Sequence, residues 1–360
     1  MVKPDMLQLC FLFRCNLNCK MCSMQERAEI VKRSGMSYEL SSQTIKDLIE
    51  QAANMGIGQL YLVGGEPFLR EDVFDIIKFA HGYNMRTIVT TNGTLLGDPR
   101  IIEGILESKL HNLAVSFDGA CENSYKNIRG EGIFEKIKAN VQLLNRIKKE
   151  KKSSLPYIHI SSTIMNQNIE ELIDIVYLAK ELEVEGIGFQ PVVMDNTNQG
   201  LRDKLDSNWI PECRYNILDE SIDKLLEYKL SNKSNLRFIY SGLTQLRLAK
   251  KYFRGRPPLY KQKCYMGFSR IIISQDGKMY FCAEEPDKGE ISFGDVRKDR
   301  LRDLWYSAKA RVFRKNIKRC KKPCLLGCTR RSEFDSLMDS FYYEFFYKHL
   351  RRFNKINLPL

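Results

Sequence analysis

The sequence predicts an α/β protein with a parallel sheet. Three observations carry this: six short apolar runs, a helix-periodic segment between most of them, and small or polar residues at the ends of successive runs. Strands separated by helices pair in parallel through right-handed crossovers. Six units are too few to close a full barrel, and they suit either an open doubly wound sheet or a partial barrel. Both architectures put ligands at the C-terminal ends of their strands.

The first strand is expected over residues 7–13, and it runs into Cys15-Asn-Leu-Asn-Cys19-Lys-Met21-Cys22. A helix over 42–55 follows, apolar at i, i+3 and i+4 and closed by Gly56. Strand two, 59–63, ends in Gly64-Gly65-Glu66-Pro67, and a helix over 71–82 leads to strand three, 86–91, which ends in Asn92-Gly93-Thr94. After a helix over 99–108, strand four, 112–117, runs into Ser116-Phe117-Asp118-Gly119. Helices over 133–149 and 169–181 flank strand five, 157–164, and strand six, 186–193, ends near Gln190-Pro191. Gly-Gly and Asn-Gly are ordinary turn formers when taken singly. Together, at successive strand ends on one face, these groups make a binding cleft the better account.

Four segments are expected: a core over 1–195, a connector over 196–260 with a helix at 212–230, an auxiliary unit over 261–335, and an aromatic, basic tail over 336–360. Arg254-Gly-Arg-Pro-Pro marks a boundary, because paired prolines stop a helix. Beyond it, two apolar runs around Asp276-Gly277 predict a tight hairpin between Cys264 and Cys282. A charged helix over 299–317 and the run Cys320-Lys-Lys-Pro-Cys324-Leu-Leu-Gly-Cys328 complete the unit.

The chain has 360 residues, eleven cysteines and a net charge of +13. No signal peptide or membrane span is legible at its start, so the cytoplasm is expected. Cytosolic cysteines are seldom structural disulfides and are more often metal ligands. Basic residues are dispersed, with dense runs only at 148–152 and 311–322, which argues against a nucleic-acid partner.

The spacing Cys-x3-Cys-x2-Cys puts three thiolates on one loop, enough for three irons of a cubane iron-sulfur cluster and none for the fourth. A structural zinc site would need a fourth ligand, and the next candidate, Cys121, lies far along the chain. Unrelated core cysteines are the remaining reading. The five later cysteines suggest a second metal site, zinc or cluster.

These motifs, in their order, resemble the radical S-adenosylmethionine enzymes: Cys15-x3-Cys19-x2-Cys22, then Gly64-Gly65-Glu66-Pro67, Asn92-Gly93 and Ser116-Phe117-Asp118-Gly119. Cys264, Gly277-x4-Cys282 and the closing cysteines resemble the twitch or SPASM extensions many of them carry. The resemblance implies a partial (β/α)6 TIM barrel of the radical SAM type, followed by a twitch/SPASM-like domain of β-hairpin plus helix. It also implies a catalytic 4Fe-4S cluster on Cys15, Cys19 and Cys22, whose open iron is chelated by S-adenosylmethionine. The bound cofactor supplies a 5'-deoxyadenosyl radical that abstracts hydrogen from substrate. An external donor such as flavodoxin or ferredoxin would bring the electron.

Residue roles follow from the same resemblance. Met21 would pack by the adenine, and Glu66 would accept from the methionine ammonium in a loop that Gly64 and Gly65 let approach closely. Asn92 belongs to the same cofactor-binding set. Ser116 and Asp118 would meet the ribose, and Arg129 would face the methionine carboxylate. Ser162 and Gln190, at the ends of strands five and six, are candidates for cofactor or substrate contact. The full SPASM pattern has more cysteines than the five here, so one auxiliary 4Fe-4S cluster is expected. It would draw on Cys264, Cys282, Cys320, Cys324 and Cys328, with Cys320 the spare. The expected reaction is dehydrogenation or epimerisation of a sugar-like or other small metabolite, since peptide-modifying relatives often carry a leader-recognition domain and only fourteen residues precede Cys15. A peptide substrate, RNA modification and non-catalytic electron transfer are the alternatives.

Overall fold

In a computed structural model of the chain, residues 3–25, 28–29, 33, 39–193, 207–255, 266–282 and 292–317 are described. Six strands, β1 (Met6–Cys10), β2 (Gln59–Val63), β3 (Arg86–Thr91), β4 (Asn112–Ser116), β5 (Tyr157–Ile164) and β6 (Gly186–Pro191), run parallel, each beside its neighbour in sequence. A strand order that never reverses has no switch point and puts every crossover helix on one face. The fold is therefore the partial barrel and not the doubly wound sheet.

The helices follow local chemistry. Helix α1 (Ser42–Asn54) is capped by Ser41, whose Oγ accepts from Thr44 N at 3.1 Å, and it buries Ile45, Leu48, Ile49 and Ala52 along one stripe. Helix α2 spans Val73–Gly82, and α3 (Pro99–Glu107) starts on a proline behind the cap Asp98. A short helix that the sequence reading missed, α4 (Glu122–Ile128), precedes α5 (Phe134–Glu150); α6 (Leu172–Glu181) completes the layer.

Each strand alternates. Leu7 and Leu9, Leu60 and Leu62, and Ile158 and Ile160 pack into the core shared with the helices. Gln8, Tyr61, Thr90, His159 and Gln190 fall on the opposite, concave face and stay partly exposed.

The expected hairpin forms, and its first strand joins the barrel sheet. β7 (Arg270–Ile273) pairs in parallel with β1, Met6 against Arg270 and Leu9 against Ile273, and β8 (Met279–Tyr280) returns antiparallel. Among the described residues the sheet thus has eight strands. In the connector, α7 (Tyr215–Leu230) matches expectation, and α8 (Lys233–Phe238) and α9 (Leu243–Phe253) add to it. The expected 299–317 helix is two, α10 (Leu301–Tyr306) and α11 (Ala308–Ile317). Ser307 parts them because it leaves helical geometry, with ψ 159°, and its Oγ accepts from Ala310 N at 3.1 Å as a fresh N-cap. Cys264, Cys320, Cys324, Cys328 and the tail lie outside the described residues. No helix among the described residues is long and apolar enough to cross a membrane.

Candidate active site

β1 ends at Cys10, short of the expected residue 13, because the chain there turns to meet the loop after β2. The turn is built from backbone bonds: Phe11 N to Val63 O at 2.7 Å, Gly65 N to Leu12 O at 2.9 Å, and Glu66 N to Arg14 O at 2.9 Å. A Cβ on Gly64, which sits at φ 146°, would lie 2.6 Å from Leu12 O, and one on Gly65 would lie 1.9 Å from Arg14 O. The group that the two glycines admit closely is thus the backbone leading into the cysteine loop.

The loop itself is held from two sides. Gln25 Nε2 donates to the carbonyls of Cys15 at 2.8 Å and Leu17 at 2.9 Å, and Lys20 N donates to Ile128 O at 2.9 Å, at the end of α4. Cys19 is buried, Cys15 half-buried and Cys22 exposed. Burial pushes the Cys15 thiol up, and the Cys19 thiol up to about 11. Thiols in this state become ligands when a metal cation displaces their protons. Met21 is half-buried against the main core.

Polar groups from the β3 end brace the loop. Asn92 Nδ2 donates to Cys15 Sγ at 3.7 Å and to Asn16 Oδ1 at 2.9 Å, and Asn16 Nδ2 donates to Thr94 Oγ1 at 2.8 Å. Asn16, Thr94 and Gln25 were not singled out from the sequence. Thr94 was the legible one, within Asn92-Gly93-Thr94 at a strand end.

Glu66 has no exposed surface. Its Oε1 accepts from Thr91 Oγ1 at 2.8 Å and Phe68 N at 3.2 Å, and its Oε2 accepts from Asn92 N at 2.7 Å. Burial, opposed by those three bonds, pushes its carboxyl up to about 7. An ionised carboxylate offers about four acceptor sites, so roughly one remains for an incoming donor such as an ammonium.

Asp118 and Ser162 are both buried. Asp118 is fully buried, its Oδ2 accepting from Arg129 Nε at 2.6 Å and its Oδ1 from Thr163 N at 2.6 Å. By the same count about one acceptor site of this carboxylate is left over; the rest make it the counter-charge of Arg129 and the tie to β5. Arg129 Nη1 in turn reaches Cys19 Sγ at 3.8 Å. Burial draws the Arg129 pKa down, yet Asp118 outweighs it and holds the guanidinium above its usual value.

Ser162 is 1% exposed, lies on the helix-facing side with Ile158, Ile160 and Ile164, and its Oγ has no hydrogen-bond partner among the described residues. The correction follows from the two-residue strand period: Ser161 and Thr163 face the concave side and Ser162 does not. Ser116 stands opposite Ser161, and Gln190 opposite Thr163, both partly exposed near the C-terminal mouth.

Among the described residues, no three Cys, His, Asp or Glu side chains are grouped as one metal ion would require. Cys22 nevertheless lies near enough to help raise the Cys15 and Cys19 thiols, and Cys15 near enough to help raise that of Cys19. Thiols on one loop, close but not converging on a point, fit ligands spread around a polynuclear cluster. Cys282, after β8, packs with Cys10 against Met266, Ile272 and Tyr280, the one described member of the expected auxiliary ligand set.

Comparison with known proteins agrees with these features. The radical SAM superfamily model matches residues 9–179, and a model for the SPASM iron-sulfur cluster-binding domain matches residues 264–329. An AdoMet-dependent heme synthase of Methanosarcina barkeri is 29% identical over 84% of this chain and 81% of its own length. A probable GTP 3',8-cyclase of Saccharolobus islandicus is 27% identical over 80% of this chain and 88% of its own. In fold, the chain resembles native anSMEcpe with bound AdoMet and the Cp18Cys peptide, with a TM-score of 0.63, 17% identity, and coverage of 98% of this chain and 100% of that one. The chain belongs to the radical SAM superfamily and carries its SPASM iron-sulfur domain, so 4Fe-4S clusters and S-adenosylmethionine are its cofactors.

Proposed function

We propose that the chain uses a 4Fe-4S cluster and S-adenosylmethionine to generate a 5'-deoxyadenosyl radical, which removes hydrogen from a carbon of a small metabolite held in the barrel. The observation that carries this reading is the meeting of the cysteine loop, Glu66 and the Asp118–Arg129 pair at one end of the barrel, beside a polar concave face.

In this reading Cys15, Cys19 and Cys22 supply three thiolates and leave one iron open. Asn92 and Arg129 donate hydrogen bonds to the sulfurs of Cys15 and Cys19, which orients the ligands and eases reduction. The remaining acceptor site of Glu66 takes the methionine ammonium, and Arg129 keeps a cation near the carboxylate. Ser116 and Gln190 border the mouth. Cys282, with the cysteines at 264 and 320–328, holds the auxiliary cluster, and the electron comes from a flavodoxin or ferredoxin. Dehydrogenation or epimerisation is the reaction class, and a small metabolite accords with relatives named for heme and GTP. A peptide is the second substrate class, on fold likeness alone.

The test is anaerobic reconstitution followed by dithionite and S-adenosylmethionine. Formation of 5'-deoxyadenosine is expected, and none from iron-replete protein would sink the reading.

A further inference from the structure

Among the described residues, the concave face carries a cation with no counter-charge. Arg270 opens β7 opposite Met6. Its Nη1 donates to Gln8 Oε1 at 2.8 Å, and its guanidinium carbon lies 5.8 Å from the centre of the Tyr61 ring. Among the described residues these are its side-chain partners. At the cysteine-loop end of the barrel, Arg70 and Arg129 each hold an aspartate. Arg270 holds none.

Tyr61 is steadied by a 2.8 Å hydrogen bond between its hydroxyl and Thr90 Oγ1. On the far wall Tyr240 stands edge-on to His159, with ring centres 5.4 Å apart, and is 52% exposed. It rests on Gly188, where a Cβ would come within 2.1 Å of the ring. Arg270 pairs with the first residue of β1, while the cysteine loop follows its last, so an anion here is distinct from the methionine carboxylate.

A partly buried guanidinium without a counter-charge carries a desolvation cost that an arriving anion offsets. Its planar fork suits carboxylate or phosphate oxygens, and Gln8 uses only one of its five N–H donors. We propose that Arg270, fixed by Gln8 and Tyr61, is the recognition site for an anionic group of the substrate, a carboxylate or a phosphate, inside the barrel. This rests on the reading that the barrel interior receives the substrate.

The test uses full-length protein without reductant or S-adenosylmethionine. Two probes are titrated by ligand-observed NMR: inorganic pyrophosphate through its 31P linewidth, and isophthalate through 1H saturation transfer. Binding of at least one is expected, with pyrophosphate alone identifying a phosphate and isophthalate alone a carboxylate. Arg270→Gln should weaken binding about ten-fold or more, the scale of a lost charged hydrogen bond. Gln8→Glu gives Arg270 an internal carboxylate with the same shape and should weaken it as much, while thermal melting reports an intact fold. The proposal is overturned if neither probe binds the wild type, or if Gln8→Glu binds like the wild type. Formation of 5'-deoxyadenosine is measured separately, so failure there with anion binding intact refutes the proposed function and leaves Arg270 standing.

Discussion

Replacing Asp118 with alanine tests the buried pair that underlies the site. Asp118 is 0% and Arg129 9% exposed at the side chain, and the carboxylate also holds Thr163 N. Removing one partner of such a pair strands the other charge and costs about 3–5 kcal/mol. With an unfolding entropy of about 2.1 cal/mol/K per residue, 360 residues give roughly 0.75 kcal/mol/K, so the melting temperature should fall by about 4–7 °C. The assay is calorimetric melting of the metal-free chain. Asp118→Asn, which keeps an acceptor and loses the charge, should fall by less. The double variant with Arg129→Ala should be more stable than Asp118→Ala alone, because no charge is then stranded. A loss under about 1 °C, or a double variant as unstable as the sum of its parts, would refute the pairing argument.

Three further outcomes follow from the geometry. Glu66 has an ordinary value of 4.5 and a folded value of about 7, so the folded state binds this proton more tightly; its stabilisation is complete below pH 4.5 and lost as pH rises through 7, by about 3 kcal/mol. Urea midpoints across that window should show the decline, and Glu66→Gln should flatten it. Gly65→Ala places a Cβ 1.9 Å from Arg14 O and must push the cysteine loop away, so reconstituted iron should drop by about four atoms per chain, one cluster, with the rest retained. Ser162→Ala removes a buried hydroxyl without a partner among the described residues and should raise stability by about 1 kcal/mol, leaving 5'-deoxyadenosine formation unchanged; a loss of cleavage would return Ser162 to the cofactor site.

Most of the barrel was legible because it is local. Strands 59–63, 86–91 and 157–164 occupy the expected residues, and α1 and α3 end within one residue of expectation. Apolar spacing, caps and glycine stops act over a few residues, and nothing distant overrides them here. The break at Ser307 was missed because a charged helical pattern continues through it, while α4 is too short and polar to show a period. The side of the sheet taken by Ser162 was readable from Ile158, Ile160 and Ile164, yet a one-residue slip in reading the strand end reverses it.

By itself the sequence determined the strand and helix succession and the order of motifs at the strand ends, and from these the superfamily. Only the tertiary structure decided what those motifs touch. Gly64 and Gly65 serve the backbone of residues 12–14, Asp118 serves Arg129 and β5, and Arg270 joins β1 across more than 260 residues of chain to stand over Tyr61 beside Gln8. Periodicity reports which face a residue takes within its own element; which partner waits on that face depends on how distant elements pack, and a local pattern carries no record of that.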